Sequence, residues 1–118
     1  MSNELVVTQK LKEGIKRHTL SNAVGVESTK YAQAVKDHFK RLGRVRLHLL
    51  DCSEIRCVAS EVYEAIVVVH KRMVKHGHKL VISAGNNAMR YHQYRNVFCS
   101  DGVGVYLTEE SAVRELLR

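Results

Sequence analysis

Proline and tryptophan are absent from the 118 residues, an unusual pair of omissions that alone excludes no class of function. The shortage of long apolar runs excludes more. No run reaches the roughly 18 uncharged apolar residues that a membrane-spanning helix needs, and Met1-Ser2-Asn3-Glu4 has neither the basic flank nor the apolar core of a secretory leader. A cytoplasmic protein without a membrane span is the expectation. Cysteine is scarce too. Cys52, Cys57 and Cys99 are an odd number with no Cys-x-x-Cys spacing, which favours small buried apolar side chains over a disulfide framework or a metal site. Two phenylalanines and five tyrosines leave little for stacking nucleic-acid bases. Finally, no Gly-x-x-x-x-Gly-Lys, Gly-x-Ser-x-Gly or His-Glu-x-x-His occurs, so neither a catalytic residue nor a cofactor is expected and the chain does not read as an enzyme.

What is present suits one domain spanning residues 1–118, long enough to bury a core and too short to divide comfortably. The formal charge of +7, from 19 Lys and Arg against 12 Asp and Glu, favours acidic partners or anionic ligands in general terms. Because the basic residues are scattered, a basic domain binding an anionic ligand or nucleic acid stands only as the alternative reading. Of the seven histidines, His76 and His78 are near neighbours, but their i, i+2 spacing straddles a predicted helix end and points to the surface rather than to zinc.

In chain order, Glu4–Leu11 and Ile15–Leu20 read as two strands of a hairpin around Lys12-Glu13-Gly14. Tyr31, Val35, Phe39 and Leu42 recur at helical spacing between Ser28, a candidate cap, and Gly43, a candidate stop. Val45–Leu50 is a strand, Ser60–His76 a helix closed by Gly77, and Leu80–Ile82 a short buried strand. Asn86–Tyr94 is a weaker helix, Val103–Leu107 a last strand, and Thr108 caps a terminal helix with Glu109 and Glu110 in its first turn. In that helix Ala112, Val113, Leu116 and Leu117 form the packing face. Continuous apolar strands alternating with helices predict a mixed, mostly parallel sheet of four to five strands flanked by about four helices, an α/β architecture.

The stretch from Arg44 to Gly77 organises this pattern. It combines a buried strand ending at Asp51, a loop, and a helix opened by Ser60, whose hydroxyl suits both helix capping and phosphate acceptance. In the helix, Val62, Ala65, Ile66, Val69 and Met73 form the core stripe. A second stripe, Tyr63, Val67, His70 and Val74, lies roughly 100° away and either packs beneath a neighbouring helix or binds a partner. Asn86 and Asn87, after Ser83-Ala84-Gly85, either line an anion or nucleotide site at a helix start or form a turn and cap. An aspartate closing a central strand also suggests a response-regulator receiver, but Leu5-Val6-Val7-Thr8-Gln9 lacks the acidic pair and no lysine follows Val105.

From about Glu4 to Leu117 the chain resembles the STAS domain of bacterial anti-sigma-factor antagonists and stressosome subunits. The resemblance is carried by Leu49-Leu50-Asp51-Cys52-Ser53-Glu54-Ile55, by Lys71-Arg72-Met73-Val74-Lys75-His76-Gly77 with Lys79-Leu80-Val81-Ile82, and by Leu107-Thr108-Glu109-Glu110-Ser111-Ala112. It implies a single STAS-like α/β domain that regulates by binding proteins. The implied partners are an anti-sigma factor or serine protein kinase, with a phosphatase and further STAS chains in some systems. It further implies a switch loop, Asp51, Ser53 and Ala59, with phosphorylation at Ser60, the hydroxyl used by stressosome-type members. The family's aspartate is replaced by Ala59 and its glycine by Val62. Glu61 occupies the second-serine position, where it would imitate phosphate in part, with about one charge against ~1.5 to 2.

Overall fold

A computed structural model describes residues 5–12, 14–22, 25–55 and 59–118. Strands β1 (Val6–Lys12) and β2 (Ile15–Leu20) form an antiparallel hairpin. Then come α1 (Ser28–His38), β3 (Leu47–Asp51), α2 (Ser60–Lys75), β4 (Lys79–Ser83), α3 (Ala88–Phe98), β5 (Gly104–Tyr106) and α4 (Glu109–Leu116). The five strands make one sheet in the order β1-β2-β3-β4-β5, parallel throughout except for the hairpin. Both edges discourage further pairing. β1 is mostly exposed and carries Lys10 and Lys12, while β5 is three residues long.

Alternation along the strands assigns the two faces. Leu20, Leu50, Leu80 and Ile82 point into the larger core beneath α1, α2 and α3, while Ile15, Leu49 and Val81 meet Ala112 and Leu116 of α4 on the other face. The stripe Val62, Ala65, Ile66, Val69 and Met73 is the buried face of α2, as its spacing predicts. Each of the larger members contributes about 1.5–3 kcal/mol of burial. Covering on both faces is what makes β3 and β4 almost wholly buried.

Several local expectations are corrected. Glu27, not Ser28, is the N-cap residue of α1, and it makes no side-chain cap bond; the helix ends at His38, short of Gly43. α3 extends to Phe98, because Tyr94 and Phe98, rather than the exposed Met89, anchor it. Leu117 falls just past the end of the two-turn α4 and is exposed, leaving Ala112 and Leu116 to pack and Val113 at the margin. The surface reading of His78 also fails: the ring is buried, as are His18 and His48. Thr108 does cap α4, its Oγ1 accepting from the Ser111 amide at 3.1 Å. Cys52 is buried, Cys99 is exposed, and Cys57 lies outside the described residues.

Candidate functional site

The loop leaving β3 begins as an Asx turn. Asp51 Oδ1 accepts the Ser53 amide at 2.9 Å, and the Cys52 amide donates to the Ser83 carbonyl at 3.0 Å, prolonging the β3–β4 pairing. α3 grips the loop from one side. Arg90 Nη1 donates to the Ser53 carbonyl at 2.6 Å and, one turn on, the Tyr94 hydroxyl donates to the Ile55 carbonyl at 3.3 Å. Gly85 completes the clamp. It has φ +66°, and a Cβ there would overlap Ser53 Cβ and lie 2.9 Å from Ser53 Cα, so only glycine fits without displacing the loop.

Ser60 is the first residue of α2 and is exposed. Ala59 holds the capping position with extended backbone, its carbonyl accepting from the amides of Val62 and Tyr63 at 3.0 and 3.1 Å. Having no side-chain oxygen, it makes no cap bond. This corrects the capping role expected of Ser60, whose hydroxyl sits one position too late to bridge the first turn. The residue instead lines a groove of about 490 Å³ between α2 and the end of α3, together with Tyr63, Glu64, Val67, Val97 and Asp101. Val68 adds exposed apolar surface. Glu61 is exposed in the first turn. A basic chain therefore presents an acid-rimmed apolar groove beside Ser60.

The second stripe of α2 is divided. Tyr63 packs edge-on against Phe98 at 5.3 Å and against Tyr94 at 6.3 Å between centroids, while still lining the Ser60 groove with Val67. The ring thus packs against α3, one of the two readings of the stripe. His70 and Val74 line a separate depression with Lys79, Tyr106 and Glu115. Among the described residues the buried His70 Nδ1 atom meets no hydrogen-bond partner, and burial lowers the pKa of the ring. Asp51 and Ser53 do not reach the Ser60 groove either. They line a polar depression of about 340 Å³ with Gln9, Arg17, Thr19 and Glu54.

Asn86 adopts φ +61° and its amide donates to the Leu107 carbonyl at 2.7 Å; Asn87 caps α3, with Oδ1 accepting from the Arg90 amide at 3.0 Å. Both are exposed. The turn-and-cap roles are filled. No group of three or more His, Cys, Asp or Glu side chains is placed to hold a metal ion among the described residues, nor is any helix among them long and apolar enough to cross a membrane.

A hairpin leading into three parallel strands, with three helices on one face and a short terminal helix on the other, is an arrangement shared with solved structures. A Thermotoga maritima protein provisionally assigned as an anti-sigma factor antagonist superposes with a TM-score of 0.69 at 16% identity over 96% of this chain and 95% of its own. An NMR structure of a protein of the same designation gives 0.70 at 17% identity, covering 100% and 93%. The chain carries the STAS fold. An anti-sigma factor antagonist from Mycobacterium paratuberculosis shares it, with a TM-score of 0.68 at 13% identity over 99% of this chain and 98% of its own. No family model matches the sequence, and no curated protein does. The STAS likeness thus lives in the backbone and core pattern, while Arg90, Tyr94 and Gly85 supply a loop clamp that sequence periodicity does not reveal. The i, i+4 spacing of Arg90 and Tyr94 was the available signal.

Proposed function

We propose that this STAS-fold chain is a non-enzymatic regulatory module that docks a protein partner on the Ser60 groove and is switched by phosphorylation of Ser60. The observation that carries this reading is the placement of an exposed serine in the lining of an apolar groove, at the start of a 16-residue helix. The first-turn amides of a helix favour an anion. A phosphate would meet them while adding ~1.5 to 2 negative charges to a rim that already holds Glu64 and Asp101. Docking of an apolar surface then carries a larger desolvation and repulsion cost. Glu61 supplies a weaker, permanent charge in the same turn. By likeness to the anti-sigma factor antagonists, the partner is an anti-sigma factor with serine kinase activity, and a phosphatase would reverse the modification.

The test is calorimetric titration of the host's anti-sigma-type kinase with the unmodified chain and with Ser60→Asp. At least a tenfold loss of affinity is expected, equivalent to about 1.4 kcal/mol. Equal affinities, with Val68→Asp also binding normally, would remove the groove from the partner interface.

A further inference from the structure

His18, His48 and His78 recur at 30-residue intervals, and the sheet converts that interval into a line of imidazoles. The β2–β3 register pairs Lys16 with His48, and the β3–β4 register pairs His48 with Leu80. Each histidine is therefore set back two residues from its predecessor's level, on the same face of the sheet. The rings meet end to end. His18 Nε2 lies 2.9 Å from His48 Nδ1, and His48 Nε2 lies 3.1 Å from His78 Nδ1, with centroids 5.1 and 5.3 Å apart in stacked orientation. All three rings are buried. The remaining nitrogen of His18, Nδ1, faces Thr8 Oγ1 at 2.9 Å and His38 Nε2 at 3.0 Å, at the end of α1.

Counting protons limits what this line can hold. Three imidazoles have six ring nitrogens. Four form the two ring-to-ring contacts, each of which needs one proton, while two are outermost. With both contacts intact the line therefore holds at most four protons, one more than three neutral rings carry. A second added proton must set N–H against N–H inside the core. The same count makes the tautomers interdependent: in the neutral line all three rings carry their proton on Nε2, or all three on Nδ1.

We infer that His18, His48 and His78 form one proton-accepting unit, an acid-sensitive clasp across β2, β3 and the α2–β4 turn that takes up a single proton intact and opens on the second. Charge on Lys16 adds to the resistance of His18 and His48 to protonation, and His38 adds to that of His18. Lys16 belongs to β2, as His18 does, and His38 meets His18 from the end of α1. Arg46 lies against Gly77 beside the His78 turn, and Arg72 of α2 binds the carbonyls of Phe39 and Lys40 where α1 ends. Burial dominates in holding His18 and His48 neutral.

Side-chain ¹⁵N NMR of the full chain from pH 7.5 downward tests the clasp. The three rings are expected to share one tautomer at neutral pH. As the pH falls, no more than one proton should enter them before the amides of β2 and β3 lose protection. Mixed tautomers, or two protons on these rings with those amides still protected, would overturn the unit. His48→Ala should uncouple the tautomers of His18 and His78, and unchanged coupling there would also contradict it. Should that variant not fold, the unaltered chain's tautomers and proton count decide alone.

Discussion

Arg90 reaches from α3 to the Ser53 carbonyl, 2.6 Å away, and so ties the loop that precedes Ser60 to a helix that follows it by nearly thirty residues. A hydrogen bond from a charged donor contributes about 1.5–3 kcal/mol. Arg90→Met, which keeps much of the stem, is expected to lower unfolding free energy by roughly that amount and to speed amide exchange in the loop. Urea unfolding with hydrogen exchange measures both.

Gly85→Ala should cost more than a typical surface change. The new methyl meets Ser53 at a residue already holding φ +66°, so steric overlap and backbone strain add. A loss above about 2 kcal/mol is expected. Gly14, whose surroundings are open, provides the control: Gly14→Ala meets only the strain of its φ of +81°, roughly 1–2 kcal/mol.

Stability should fall on acidification. His18 is lowered to about 3 and His48 to about 4, chiefly by burial, against about 6.5 in the unfolded chain. Below pH 6.5 the unfolded state binds protons that the folded state refuses, so unfolding becomes easier as pH falls toward 4. Two such rings give a slope of roughly 2.7 kcal/mol per pH unit near pH 5. Above pH 7.5 these rings contribute no slope. Urea midpoints at half-unit pH intervals check the sign, and a double His18→Phe, His48→Leu chain should flatten the curve.

Tyr63 and Val68 border the same groove but differ in what lies behind them. The Tyr63 ring contacts Tyr94 and Phe98, whereas Val68 is 52% exposed. Tyr63→Ala is expected to cost about 3 kcal/mol, and Val68→Ser within about 0.5 kcal/mol. Thermal unfolding separates the two, leaving Val68 as the position at which docking can be impaired without harming the fold.

Much of this architecture is legible in the sequence. The five positions that α2 buries are those its periodicity selects, because one face of a covering helix must be apolar whatever the topology. Asp51 closing a buried strand and Thr108 opening a helix are local signals, and both hold. Non-local relations are less visible. His78 looks like a surface residue at a helix end until the strand register stacks it with His48 and His18, and Arg90 looks like one more scattered cation until α3 is placed beside the loop. Ser60 resembles a cap because hydroxyl residues favour helix starts, but the extended residue is Ala59, and Ser60, one position on, lines the groove instead.

Whether Ser60 accepts phosphate tests the account most directly. The chain, incubated with ATP and the host's anti-sigma-type serine kinase, would be digested and its phosphate located by tandem mass spectrometry. Label on Ser60, its loss in Ser60→Ala, and undiminished label in Ser100→Ala are predicted. Equal labelling of Ser60→Ala and the unaltered chain, or none in either while the kinase modifies a control substrate, would contradict the switch.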